Sequence, residues 1–216
     1  MYTFDDWITA VFTNAARGSK FWERIEDTDL TAPVIVEFMT RLFEDSDDLL
    51  RQFNNLEVDE GLGYVVRAGT SDYMFALLDQ EVPWTARQQC IRSMKRLYTD
   101  CFARTCDPNH LSHPNSAESI PLNGVCYMWW DILPIYGCPN DPSRFDLDFE
   151  MINVMSFALS IDSDACRESV LHGLGHWHLD YPSQVEAIID EFLKQNPMLR
   201  SDLVDYALNA RLGYVL

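Results

Sequence analysis

The chain has 216 residues, of which 47% are hydrophobic and 23% are charged, and its formal net charge at pH 7 is −18. This length and apolar content are enough for one sizeable core. The sequence has no uninterrupted apolar run of about 18 residues, so we predict no transmembrane helix. The excess of acid disfavours nucleic acids and anionic membranes as partners, because phosphate contacts need a basic patch.

The acidic charge is concentrated at the two ends of the chain. Residues 1–60 carry 14 acids and 5 bases, residues 61–110 carry 5 acids and 6 bases, and residues 111–216 carry 15 acids and 5 bases. The first residues lack the basic and apolar regions of a secretory signal. The six cysteines therefore favour reduced thiols in the cytoplasm over a disulfide framework.

The first 105 residues show helical patterns separated by polar or glycine-containing breaks. Thr3 and Asp6 have the spacing of a capping box, and Thr31 followed by Pro33 predicts another helix start. Residues 59–80 favour two short helices, with a β-hairpin as the alternative, and residues 84–105 predict the longest helix. A further short helix is predicted around the apolar residues Phe21, Trp22 and Ile25.

The rest of the chain begins with residues 106–121, which lack periodicity and predict a long loop. Helices follow at about 122–133 and 146–160. The last third then predicts three consecutive amphipathic helices. Asp164 is the expected cap of a helix through His178, Pro182 starts the next helix, and Ser201 is the expected cap of a last one through Tyr214.

Helix pairs of this length, joined by short turns, resemble the HEAT and armadillo-like helical repeats. Residues 166–178, 182–196 and 199–214 carry the resemblance, mainly within 164–214. It implies an α–α superhelix whose concave face binds a protein. We therefore expect one all-α domain over residues 1–216, with a helical part at 1–105 and a HEAT-like part at 122–216.

One stretch of the last third contains residue types that can bind a metal ion. Glu168, His172 and His176 follow each other at steps of four residues, so they share one stripe of a helix. Two histidines at this spacing can chelate zinc, with Glu168 as a third ligand. The metalloprotease pattern fails, because Gly173 stands where its catalytic glutamate would be. His178 and the loop residues His110 and His113 are further candidate ligands.

Gly173 and Gly175 interrupt this helix at a cost of about 1 kcal/mol each relative to alanine. The cost indicates a close approach by another group at both positions. Close packing of a neighbouring helix is one explanation, and a binding surface lined by histidine and glycine is the other.

Two other groups of residues raise weaker hypotheses. Cys101, Cys106, His110 and His113 are zinc-binding residue types, but their spacing is not that of a zinc finger. The aromatic run in residues 127–130 predicts core packing, with Asp131 as its polar neighbour.

The leading functional hypothesis is a non-catalytic scaffold without a cofactor that binds another protein, with a basic partner favoured by the charge. The alternative is a metal-binding protein or zinc enzyme that uses the stripe of Glu168, His172 and His176. A third hypothesis is an immunity-type protein that masks a basic partner.

Overall fold

The computed structural model describes residues 3–15, 30–113 and 120–215. All regular structure in these ranges is helical, so the predicted all-α fold is confirmed. The predicted helix around Phe21, Trp22 and Ile25 and the middle of the long loop lie outside the described residues. The helices are α1 (Phe4–Ala15), α2 (Ala32–Glu44), α3 (Ser46–Leu50), α4 (Asn55–Val66), α5 (Trp84–Arg96), α6 (Asn123–Ile132), α7 (Phe145–Leu159), α8 (Asp164–Trp177), α9 (Pro182–Gln195) and α10 (Ser201–Ala210).

Several helix ends follow the sequence signals. The Thr3 hydroxyl accepts the Asp6 amide at 3.2 Å and the Asp6 carboxylate accepts the Thr3 amide at 3.0 Å, which is the predicted capping box. The cap of α8 was predicted wrongly, because Ser163 and not Asp164 accepts a backbone amide there. Helix α10 ends at Ala210, short of Tyr214, and Gly213 then turns the chain with a φ of +74°.

Residues 84–105 form the long helix that the sequence predicts, with one irregularity. Leu97–Phe102 is π-helical between α5 and the last turn, Ala103–Thr105. A π-helical segment rotates the side chains that follow it relative to an α-helix. Within this segment Tyr98 is buried and its hydroxyl lies 2.7 Å from the Ser169 hydroxyl of α8.

Helix α8 lies at the centre of the C-terminal half and packs against α6, α7, α9 and α10. The apolar side of α8 is buried. On the stripe of Glu168, His172 and His176, the first two residues are buried too, because α6, α10 and the loop before residue 114 cover them, whereas His176 is exposed. The buried residues of α8 are Ala165, Cys166, Glu168, Ser169, Val170, Leu171, His172, Gly173, Leu174, Gly175 and Trp177.

The remaining helices complete one apolar core. Helix α2 packs against α5, α1 packs against α4, and α5 packs against α7. The arrangement is compatible with a helical repeat. No helix in the described ranges has both the length and the apolar character needed to cross a bilayer. All six cysteines lie in those ranges as free thiols, and five of them are buried.

Candidate functional site

The close approach of α6 to α8 depends on Gly173. A Cβ atom at this position would lie 2.5 Å from the Cβ and Cγ atoms of Trp130. Trp130 is fully buried, as the predicted core role of the aromatic run requires. The residue after it, Asp131, is thereby carried to the surface of α8 where His172 and His176 lie. Of the two explanations for this glycine, close helix packing is the one that the structure supports.

Asp131, His172 and His176 form a compact group, which we call the His/Asp group. One donor atom from each residue lies within 4.8 Å of the others, and no other such set of histidine, cysteine and acidic residues occurs in the described part of the chain. The Nε2 atoms of His172 and His176 are 3.2 Å apart, and His176 Nε2 lies 3.3 Å from Asp131 Oδ1. The two imidazole rings stand almost perpendicular, at 87°.

The separations of 3.2 Å and 3.3 Å match those between ligand atoms on one metal ion, and the third pair, His172 and Asp131, lies within 4.8 Å. Two ligand atoms that are about 2.0–2.1 Å from a tetrahedral zinc ion lie about 3.3–3.4 Å from each other. A single hydrogen bond between one protonated and one unprotonated Nε2 also satisfies the distance between His172 and His176. The two arrangements differ in what the third residue does: a metal needs the Asp131 carboxylate as a ligand, whereas a hydrogen bond between imidazoles does not.

The surroundings of His172 favour its neutral form. Burial lowers the pKa of His172 to about 4, and the neighbouring His176 adds to the effect. The Tyr206 hydroxyl lies 2.7 Å from His172 Nδ1, and burial raises the pKa of Tyr206 far above its usual range, so this hydroxyl stays protonated. When Nδ1–H donates to the Tyr206 oxygen, the lone pair of Nε2 faces His176, as a metal ligand requires.

Two more aromatic rings enclose this side of the group. The Tyr127 ring packs against the His172 ring with centroids 4.4 Å apart, and its hydroxyl lies 3.2 Å from that of Tyr206. The His113 ring stacks on the Tyr206 ring at 4.1 Å. His172 is therefore held from several directions, and the imidazole has little freedom to turn away from His176.

Glu168, which the sequence suggests as a third ligand, has a different position and different partners. Its buried carboxylate accepts the Ser112 amide at 2.9 Å, the His113 amide at 2.8 Å and His113 Nδ1–H at 2.6 Å. It fastens the loop before residue 114 to α8, and the loop places His113 on Tyr206. Asp131 of α6, rather than Glu168, lies beside the two histidines.

The other candidates of this helix face elsewhere. Val215 lies against Gly175, where an added Cβ would be 2.5 Å from Val215 Cγ1. His178 packs on Gly213, and its Nε2 lies 3.5 Å from a carboxylate oxygen of Glu186. Gly175 and His178 thus contact the C-terminal segment and α9, away from the His/Asp group.

The second zinc hypothesis does not assemble as a site. Cys101, Cys106, His110 and His113 all lie in described residues, but they form no group of converging donor atoms there. The Cys101 thiol instead lies 3.8 Å from the Thr105 hydroxyl, while His113 is held by Glu168.

The His/Asp group has a buried end and an open end. His172 is 2% exposed, whereas the side chains of His176 and Asp131 are 34% and 36% exposed. Two imidazoles and one carboxylate suit zinc and other divalent first-row metals, and three protein ligands leave a coordination position for water. Solvent reaches this position from the side of His176 and Asp131.

The comparisons with known proteins supply no relative for this chain. It matches no protein-family profile, no curated protein and no solved structure.

Proposed function

We propose that this protein binds one divalent transition-metal ion, zinc in the first instance, through His172, His176 and Asp131, with one position left for water. The observation that carries the proposal is the convergence of three donor atoms from two helices within 4.8 Å. Glu168 is outside the proposed ligand set, because the loop amides and His113 already occupy its carboxylate.

The surrounding residues support binding rather than a chance cluster. Metal affinity requires an unprotonated imidazole, and the lowered pKa of His172 supplies one at neutral pH. Groups that hold the second ring nitrogen of a ligand typically raise metal affinity by about 10–100-fold. The Tyr206 hydroxyl occupies that position on His172.

Water on such an ion would be acidified, and the ion would act as a Lewis acid toward a carbonyl or phosphoryl oxygen. A peptidase mechanism of the H-E-x-x-H type is not part of the proposal. Gly173 fills the place of the general base in that motif, and it is covered by Trp130.

The test is a zinc titration of chelator-treated protein by calorimetry. The wild-type protein should bind about one equivalent, and His176→Gln and Asp131→Asn should each weaken binding by about 100-fold or more. Both side chains are partly exposed, so both variants should keep the fold. Tyr206→Phe should weaken binding by about 10–100-fold through the loss of the hydroxyl at His172.

His110→Gln is the matched control, because it removes one histidine of the same protein outside the His/Asp group. It should bind zinc like the wild type. A zinc stoichiometry well below one for the wild type, or equal zinc affinities for His176→Gln and His110→Gln, would contradict the proposal. Titrations with manganese and nickel, run in parallel, rank the metals.

A second candidate function is that of a helical-repeat scaffold of the HEAT type that binds another protein. The observation in its favour is a row of exposed aromatic side chains on α7, where Phe145 and Phe149 are 65% and 56% exposed. Contiguous exposed apolar surface is characteristic of interaction sites. Loss of partner binding on substitution of these residues would test it, and it does not exclude metal binding.

A further inference from the structure

A cavity of about 240 Å³ lies beside the π-helical segment Leu97–Phe102, which contributes Asp100 and Cys101 to its lining. Its other walls come from α3, the start of α4, the last turn of the long helix and the residue before α6. We call it the π-segment pocket, and the residues that carry the argument are Ser46, Asp47, Arg51, Asp100, Arg104 and Leu122. None of its lining residues belongs to the His/Asp group.

Two irregularities of the backbone meet at this pocket. One is the π-helical segment, and π-helical turns occur frequently at functional sites. The other is Leu122, the one non-glycine residue with positive φ in the described ranges, at φ +72° and ψ −39°. Its amide donates to Asp59 Oδ1 at 2.8 Å, which holds it in place. A leucine in such a conformation costs on the order of 1–3 kcal/mol, and strain of this kind is concentrated at ligand sites.

The wall of the pocket is mainly apolar, with one unused polar group. Leu50, Phe53 and Val58 line it. Ser46 lines it too, and its hydroxyl is fully buried without a hydrogen-bond partner in the part of the chain that the structure describes. A buried hydroxyl without a partner is rare in native proteins. The lining therefore combines an apolar surface with hydrogen-bonding capacity that the protein itself does not use.

Two arginines of the pocket meet on one carboxylate oxygen. Arg104 Nη1 lies 2.9 Å from Asp47 Oδ2, and Arg51 Nη2 lies 3.0 Å from the same atom. A single acceptor atom thus holds two guanidinium groups beside each other. Asp48 approaches Arg51 at 3.4 Å, but this carboxylate is 85% exposed and does not line the pocket, so water screens the pair.

The second carboxylate of the lining is balanced by other groups. Asp100 Oδ2 lies 2.7 Å from Arg96 Nη2, and Asp100 Oδ1 accepts the Thr99 hydroxyl at 3.0 Å, whereas Arg104 comes only to 3.8 Å. The surplus at the pocket is therefore guanidinium N–H donors and positive charge. The side chains of Arg51 and Arg104 are more than half exposed, so a ligand can reach them. Paired guanidiniums with spare donors suit an anion such as a carboxylate.

We infer that the π-segment pocket binds a small organic monocarboxylate. Its carboxylate would accept hydrogen bonds from Arg51 and Arg104, and its apolar body would lie against Leu50, Phe53 and Val58. One carboxylate between two guanidiniums leaves one positive charge, which a monoanion balances. The volume equals that of about eight water molecules, so the ligand has the size of a short-chain fatty acid. The inference goes beyond metal binding and does not depend on it.

The experiment is a titration of isotope-labelled, chelator-treated full-length protein with hexanoate, followed by NMR. Chelation removes metal ions that would themselves bind a carboxylate. Hexanoate should shift the amide signals of Cys101 and Leu122, and its affinity should fall as salt rises. It should bind at least about tenfold tighter than hexanamide and hexylammonium, which lack the charge-assisted hydrogen bonds. Acetate should bind at least about tenfold more weakly as well, because it lacks the apolar body.

Two protein variants test the arginines separately. Arg104→Gln and Arg51→Gln should each weaken hexanoate binding by at least about tenfold. Both change exposed side chains, so the fold should be retained. The matched control is Arg41→Gln, because the Arg41 side chain is 52% exposed, pairs with Asp5 and does not line the pocket. The control should bind hexanoate like the wild type.

The opposite outcomes are equally clear. Equal binding of hexanamide, or tighter binding of hexylammonium, would show that the pocket does not select a carboxylate. Tighter binding of hexyl phosphate than of hexanoate would replace the carboxylate by a phosphate monoester. Wild-type affinity in both arginine variants, or no binding of hexanoate at about 50 mM, would overturn the site itself. The zinc titration is independent of all these outcomes, since the two sites share no residue.

Discussion

Replacing Glu168 by alanine should lower the free energy of unfolding by about 3–5 kcal/mol, the range for breaking a buried pair by removal of one partner. The carboxylate is 1% exposed and accepts two backbone amides and one imidazole N–H. Alanine at 168 would leave all three donors, which belong to the half-buried residues Ser112 and His113, without this acceptor. Glu168→Gln keeps one acceptor oxygen and should cost less, about 1–3 kcal/mol.

Urea unfolding measures this difference, and hydrogen exchange locates it. The amides of Ser112 and His113 should exchange much faster in Glu168→Ala than in the wild type, because both donate to the lost carboxylate. Glu191→Ala is the control, since the Glu191 side chain is 53% exposed and pairs only with neighbours on its own helix. It should stay within about 0.5 kcal/mol of the wild type. Unchanged protection of both amides in Glu168→Ala would contradict the anchoring role.

The all-α fold and most helix positions were predictable, because they depend on local signals. The apolar periodicity of residues 182–196 and the prolines that bound them define α9 without reference to the rest of the chain. Helix ends were less predictable where two adjacent residues can both act as a cap. Ser163 and Asp164 are both good caps, and only the backbone conformation, extended at Ser163, decides between them.

Two of the three residues of the His/Asp group were predictable from the sequence, again because their positions depend on a local signal. His172 and His176 share a helix, so their spacing alone brings their rings together. Asp131 lies 41 positions before His172 on a different helix, and its approach depends on how α6 packs on α8. The signals for that packing were Gly173 and the aromatic run, which the sequence shows as separate features. Glu168 fitted the helical stripe, but a hydrogen-bonding loop that no periodicity reveals takes its carboxylate.

The packing of Trp130 on Gly173 therefore predicts a coupling between stability and metal affinity. Alanine at 173 gains about 1 kcal/mol in helix propensity over glycine. Its Cβ would lie 2.5 Å from Trp130 Cβ, an atom close to the backbone that cannot swing away. Overpacking of this kind costs about 1–3 kcal/mol, so after the propensity gain we expect Gly173→Ala to destabilise the protein by up to about 2 kcal/mol net. Any outward shift of α6 also moves Asp131, so zinc affinity should fall with stability.

Gly124→Ala is the matched control for this prediction, because it changes a glycine of the partner helix α6 in open space. No atom lies within 4 Å of the Cβ that alanine would add there, so only the propensity term remains and the variant should gain up to about 1 kcal/mol. The two glycine-to-alanine changes thus have opposite expected signs in urea unfolding. A stabilised Gly173→Ala with wild-type zinc affinity would show that α6 does not need this close contact to bring Asp131 to the histidines.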